Sequence, residues 1–531
     1  MLRFLVAVLV CGFAFSARAQ NLGHATVTGR LTAEGVRAVI ELDRGVTRLS
    51  FSQADVDRRE DIDVLTPGLA WSGEGDVIVA ARAFRRVELL VRPAARERDA
   101  KYPAFFRVGA GGVLYPPALK PDAGWSTRLR ITTTRGQIRL PAGAPNIDSS
   151  LYIGPSAYVT RGAAADLIAS PDTPAALREQ ITANLAVALH VYTTRLHAAL
   201  PSRPIVVMAQ AGDGRGFVGD VTPGPFVSLR FYGSTEDQTN DAYRVARFVA
   251  HEVFHFWNGS LVSNADGAPS WLHEGGADYA ALLASMEAGA LDDAGMREEL
   301  GAALTRCRQG LQDEHDAAMN DLTFLSMNVR YPCGIVIQWA ASLSAERGGG
   351  GGFFDVWAHM IAAAQARPSR TFTLADFYAG AGVDANAPPA PIRLITAERG
   401  AARWDQLPAA LDAIGAEVSA EATPATRRVA LIFHLLGQVC GNGDRGFYTE
   451  PNRIRLQTNS TCTLIADNSI LTSVEGGDIV APSQATYTAV QARCAARQEV
   501  RVVLDGDRAV AIPCRTELAP APHAYVVNRW R

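Results

Sequence analysis

Lysine is nearly absent from this chain of 531 residues: Lys101 and Lys120 are the only lysines among 51 basic side chains. Set against 54 acidic residues they leave a net charge of −3, and no basic run carries interleaved aromatics, which excludes a nucleic-acid surface. The excess of arginine over lysine reads as a bias of nucleotide composition. Long apolar runs are missing as well. Apart from residues 4–16, nothing approaches the ~20 uninterrupted apolar residues that cross a bilayer, so no stable membrane insertion is expected. That short run follows Arg3 and ends before Ala17-Arg18-Ala19, a small-x-small cleavage pattern. Residues 1–19 therefore read as a signal peptide, and export to the periplasm or the medium is expected. Cysteine is scarce too. Beyond Cys11, which follows Val10 and so does not suggest a lipid anchor, there are Cys307, Cys333, Cys440, Cys462, Cys494 and Cys514. An even number in an exported chain favours disulfides over reduced buried thiols, and their distribution suggests Cys307–Cys333 plus two bridges among the last four.

With 48% hydrophobic residues the chain can build several cores, about three domains by length. The pattern predicts an α+β multidomain protein. Residues 20–156 read as strands, with alternating or apolar runs at 25–31, 37–42, 86–91 and 127–132, and suggest a β-sandwich-like domain. From 157 to 423 the period becomes helical, with helices expected over 175–200, 296–311, 334–345, 354–365, 374–379 and 404–414 and a buried strand at 204–208. Five glycines at 348–352 read as a connector or a lid hinge, and the unreactive neighbourhood favours the connector. Residues 424–531 read as a β-rich, disulfide-containing module with strands over 427–433, 453–456, 499–504 and 509–512 and a tight turn at Asp505-Gly506. A strand at 477–480, a helix near 487–495 and the closing hairpin faintly resemble a PDZ domain.

The chemistry is concentrated in Val249-Ala250-His251-Glu252-Val253-Phe254-His255-Phe256-Trp257-Asn258 and in Trp271-Leu272-His273-Glu274-Gly275-Gly276-Ala277-Asp278-Tyr279. On a helix expected over 241–258 and stopped by Gly259, His251 and His255 share one face a turn apart, where two imidazoles can converge on one zinc ion. Glu252 is rotated about 100° from His251, beside the metal and not on it, where it can move protons. A catalytic zinc takes three side chains and leaves a position for water, and Glu274 fills the third place, on a helix over 271–284 with Ser270 as its cap. Asp278, one turn later, can accept the far ring N–H of a ligand histidine.

This pattern, HExxH followed by eighteen residues and Glu, resembles the gluzincin metallopeptidases, and within them the aminopeptidase N and glycyl aminopeptidase branches. Phe254-His255-Phe256-Trp257-Asn258 and Trp271-Leu272-His273-Glu274-Gly275 are similar to the flanks of those branches, and Tyr331-Pro332-Cys333-Gly334 matches their downstream Y-x-x-G. The resemblance implies a thermolysin-like, mainly helical catalytic domain, zinc on His251, His255 and Glu274, Glu252 as general base, Tyr331 as the stabiliser of the oxyanion, and a peptide or protein substrate. One segment departs from it. Those branches carry a glutamate that holds the substrate's free amine on a Gly-x-Met-Glu-Asn or Gly-Gly-Leu-Glu-His strand, whereas here Gly212 to Asp220 contains none, and the next is Glu236. Asp220 is the candidate replacement, and aminopeptidase or endopeptidase action stays open. A non-catalytic periplasmic scaffold that keeps a zinc-binding peptidase fold is the alternative.

Overall fold

The structure is a computed structural model, and it describes residues 22–531 except 53–54, 95–101, 212–215, 233–241, 441–444, 451, 459–460 and 507. The expected signal segment and Glu236 lie outside the described residues. The chain divides into two units, Met1–Leu189 with Ala199–Leu261, and His190–Ala198 with Val262–Arg531.

In the first unit, period-2 alternation builds a sheet in the order β3-β5-β2-β1-β8, with β4 paired to β5. Its strands are β1 (Gly23–Leu31), β2 (Val36–Ser50), β3 (Ile62–Val64), β4 (Leu69–Trp71), β5 (Val77–Val91) and β8 (Trp125–Thr132). A second sheet runs β6 (Phe105–Val108), β7 (Gly111–Leu114), β10 (Leu151–Pro155), β9 (Gln137–Leu140). Val27, Ile40 and Val87 of the first share one core with Phe105, Leu114 and Ile153 of the second, which is the packing of a sandwich. Arg58, in the short α1 (Arg58–Asp61), is buried there because its guanidinium donates to the carbonyls of Ser52, Pro117 and Ala118 and pairs with Asp76.

A third sheet, β11 (Val159–Arg161), β12 (Asp166–Ala169), β13 (Ile205–Gln210), β15 (Phe226–Tyr232) and β14 (Gly216–Thr222) in that spatial order, is parallel at β12, β13 and β15 and ends on the antiparallel edge strand β14. The helix α2 (Ala175–Leu196) stops four residues short of the expected end. The metal-motif helix, α3, spans Ala242–His255. Gly259 does not stop it: the chain widens into a π-type turn over Phe256–Leu261, burying Phe256, Trp257 and Asn258.

The second unit opens with α4 (Ser270–Glu287), α5 (Asp293–Asp313), α6 (Met327–Arg347), α7 (Phe353–Gln365), α8 (Leu374–Gly380), α9 (Ala390–Thr396) and α10 (Arg403–Asp412). Ser270 is not the cap of α4: Pro269 holds the extended N-cap geometry and Ser270 is the first helical residue. α6 begins seven residues before the expected start, so Tyr331 lies inside the helix and Pro332 is accommodated within it. The five-glycine run is the turn between α6 and α7, with Gly349 in the left-handed region.

The last segment carries one further correction. Residues 427–433, expected as a strand, belong to α11 (Pro424–Val439). Thr423 caps it by accepting from the Thr426 N–H, Pro424 sits at its first turn, and Leu431, Ile432, Leu435, Leu436 and Val439 form a helical stripe, so capping and period overrode the β-branched look of the run. That stripe packs on a sheet ordered β16 (Gly446–Glu450), β17 (Arg453–Gln457), β18 (Ile470–Val474), β19 (Glu499–Leu504), β20 (Arg508–Pro513) and on the helix α12 (Gln484–Ala495).

Three disulfides are present: Cys307–Cys333, Cys440–Cys462 and Cys494–Cys514. The first ties α5 to α6 two residues after Tyr331. Its loss by Cys333→Ser is expected to cost about 3 kcal/mol and to lower the melting temperature by roughly 5–10 °C, read by calorimetry under non-reducing conditions. An unchanged melting curve would show that the bridge does not hold α6.

Candidate metal centre

The histidine pair is built by helical period alone. On α3 the rings of His251 and His255 stand 4.8 Å apart at 84°, and their Nε2 atoms face each other at 3.1 Å. Both are buried, as is Glu252 between them. The orientation of His255 has a visible cause: its Nδ1 lies 2.7 Å from Oδ1 of Asn258, a fully buried residue of the π-type turn. With that acceptor the ring proton sits on Nδ1, which leaves Nε2, 3.1 Å from that of His251, unprotonated. Asn258 lies three positions on, on the same side of the helix as the ring, and sequence reasoning, which looked to Asp278 for this role, missed it.

Glu252 is covered from one side. On β14, Phe217 stacks on Phe248 (5.3 Å between centroids), and two residues further along the same face Gly219 lies on Glu252, one helical turn after Phe248. A Cβ at position 219 would overlap the Glu252 carboxyl, so glycine is required for this close approach. Asp220, the candidate amine anchor, faces the other way: it pairs with the buried Arg230 on β15, whose guanidinium also donates to Ser228 Oγ at 3.0 Å.

Glu274 and Tyr331 ride on α4 and α6, which touch without side chains between them. A Cβ at Gly275 would run into the backbone of Gly334, and one at Gly334 into Gly275 and the carbonyl of Trp271. The two glycines directly follow Glu274 and lie three residues after Tyr331, so the crossing point fixes where both side chains leave their helices. Both are half-buried, and the Arg330 guanidinium lies 5.0 Å from the Tyr331 ring centre. Asp278 is half-buried one turn after Glu274.

His251, His255 and Glu274 each present one ligand atom, and these atoms lie within 4.8 Å of one another, a possible metal-binding group of two imidazoles and a carboxylate. A second such grouping, His434 with Cys494 and Cys514, has its sulfurs joined in a disulfide and so offers no thiolate.

Residues 229–328, which contain the histidine motif and Glu274, match the peptidase family M1 domain. Over those residues the chain is of the M1 type. Among solved structures, an aminopeptidase N family protein from Idiomarina loihiensis is similar in fold, with 13% identity, a TM-score of 0.52, and coverage of 95% of this chain and 98% of that one. Aminopeptidase A of Legionella pneumophila, solved in complex with aspartic acid, aligns over 94% of this chain and 57% of its own at 13% identity, with a TM-score of 0.44 that is too low to support a shared fold. No curated protein matches by sequence. The likeness to the Idiomarina loihiensis structure is one of fold, a mixed α+β architecture with a sheet-rich N-terminal region and a helical middle. No helix among the described residues is long and apolar enough to cross a membrane.

Proposed function

We propose that the protein is a zinc-dependent peptidase that cleaves peptide bonds with a water activated at His251, His255 and Glu274 and with Glu252 as general base. The observation that carries the reading is the convergence of those three ligand atoms within 4.8 Å. The donor set fits zinc in its catalytic form, since two neutral imidazoles and one carboxylate leave a coordination position open, whereas structural zinc sites are usually closed by thiolates. A zinc ion held there would supply Lewis acidity, polarising the substrate carbonyl and lowering the pKa of bound water to about 7.

The chain's own groups do the rest. Glu252, buried and lying against Gly219, takes the proton of the attacking water and delivers it to the leaving nitrogen. Tyr331, set by the α4–α6 crossing, donates to the carbonyl oxygen as charge develops there, an interaction worth about 3 kcal/mol in comparable sites. Asn258 fixes the tautomer of His255, and Asp278 is assigned the equivalent task for the other imidazole. The organisation proposed with this function is a signal segment over 1–19, an N-terminal β domain over 20–156, the catalytic domain over 157–423 and a PDZ-like module over 424–531, in a protein exported to the periplasm or beyond.

The test is metal analysis of the purified protein combined with turnover of a mixed peptide library, with and without chelator. One bound zinc and chelator-sensitive cleavage are expected; zinc without turnover would leave the scaffold alternative. Asn258→Ala is expected to weaken zinc binding by about 10–100-fold, measured by competition with a chromogenic chelator. Unchanged affinity would remove Asn258 from the ligand's support.

A further inference from the structure

We propose that the C-terminal module carries a second metal site that becomes available on reduction: once a dithiol has cleaved Cys494–Cys514, the two thiolates and the imidazole of His434 hold one zinc-type divalent cation. None of the three residues belongs to the converging His251, His255 and Glu274, so the site is independent of the peptidase reading.

Three elements meet at this point. His434 lies on α11, Cys494 is in the last turn of α12, and Cys514 directly follows β20. One ligand atom from each lies within 4.8 Å of the others, and His434 Nε2 stands 3.3 Å from Cys494 Sγ. Around tetrahedral zinc, with bonds of about 2.0 Å to nitrogen and about 2.3 Å to sulfur, a nitrogen and a sulfur ligand sit roughly 3.5 Å apart. The imidazole is therefore already at ligand spacing. Only the sulfurs must part, and rotation about the Cα–Cβ bonds of the two reduced cysteines does this.

The imidazole is held with a lone pair towards the sulfurs. Gln438, one turn on along α11, accepts through Oε1 from the backbone N–H groups of Arg515 at 2.6 Å and Thr516 at 3.2 Å. Its amide nitrogen is thereby turned the other way, donating to Thr516 Oγ1 at 2.7 Å and lying 3.5 Å from His434 Nε2. A ring nitrogen that faces an N–H donor is the unprotonated one, so the ring proton is on Nδ1 and Nε2 can ligate. Gln438 is itself buried, and it anchors the two residues that follow Cys514. The three donors thus keep their relative places when the covalent link is gone.

Reduction conserves electrons and protons. The two thiols of the reductant become a disulfide, their two electrons cleave the Cys494–Cys514 bond, and their two protons pass to the cysteine sulfurs. Binding of the cation then releases those two protons, because the ligands are thiolates. A doubly charged cation, two thiolates and a neutral imidazole sum to zero, which suits sulfurs as deeply buried as these. The same donors favour zinc over calcium or magnesium, which take oxygen, and they leave a fourth position for water. One tie between α12 and the end of β20 is exchanged for another, so the core of the module stays joined in thiol-rich surroundings as in oxidising ones.

The experiment uses the full chain, reduced with a dithiol, freed of it anaerobically and titrated with cobalt(II). Bonds from cobalt to thiolate sulfur give a near-ultraviolet charge-transfer absorption that nitrogen and oxygen ligands do not, so the signal reports this site and not the histidine pair on α3. The reduced protein is expected to take up about one more cobalt ion than the oxidised protein, to develop that absorption, and to lose it when zinc is added. His434→Ala is expected to bind that ion at least about tenfold more weakly, and the double variant Cys494→Ser, Cys514→Ser to show no such absorption. Equal uptake before and after reduction, parent-like affinity in His434→Ala, or absorption that survives in the double variant overturns the inference. So does a reduced protein whose circular dichroism is lost and is not restored by the metal.

Discussion

Replacing Glu252 by glutamine is expected to reduce kcat for peptide hydrolysis by a factor of about 10²–10⁴ while zinc content stays the same. The reasoning is geometric. Glutamine has the shape of glutamate, so it fits beneath Gly219 without moving β14, and Glu252 is not one of the three converging ligands. What is lost is the ability to take a proton. Circular dichroism and metal analysis should therefore match the parent, and only turnover should differ. Hydrolysis at the parent rate by Glu252→Gln would remove this residue as the base, whatever the metal content.

Glu274→Gln is expected to act at an earlier step. An amide oxygen is neutral and a poor ligand, so zinc affinity should fall by at least about a hundredfold, and hydrolysis with it at limiting metal. A readout independent of activity follows from mass action, because an ion that binds only the folded protein raises its melting temperature. Added zinc should shift the parent's transition upward, and the same zinc should leave Glu274→Gln unmoved. Equal shifts in the two proteins would place the metal elsewhere. The comparison also separates Glu274 from Glu252, since Glu252→Gln should keep the full shift.

These effects were legible because the parts of the site that lie on helices obey a short period. His251, Glu252 and His255 are fixed relative to one another by 3.6 residues per turn, and nothing distant is needed to place them. Glu274 was legible from its spacing and from the need for a third ligand. The rest depended on contacts the chain makes far from itself or on small local departures. Gly219 could not be read as the cover of Glu252, because β14 leaves the sheet order and pairs backward on β15. Asp220 looked available as a carboxylate until Arg230, ten residues on, was seen to claim it.

Asn258 was quoted as a motif letter without a task, although its three-residue spacing on a helix already puts it beside His255, where it lies 2.7 Å from the ring nitrogen. At the fold level the alternating strands of β1, β2, β5 and β8 were plain in the sequence, while α11 was mistaken for a strand. There Val429 to Phe433 carries strand-like residues, and the decisive signals were the Thr423 cap and the proline behind it.

The bare contact of Gly275 with Gly334 has a consequence for how this protein can change over time. Because two peptide planes meet there, the separation between the main chains that carry Glu274 and Tyr331 is set by the thickness of backbone alone. Residues elsewhere in the helical core can drift in size without retuning that span, whereas a single methyl at either glycine would pry the two helices apart.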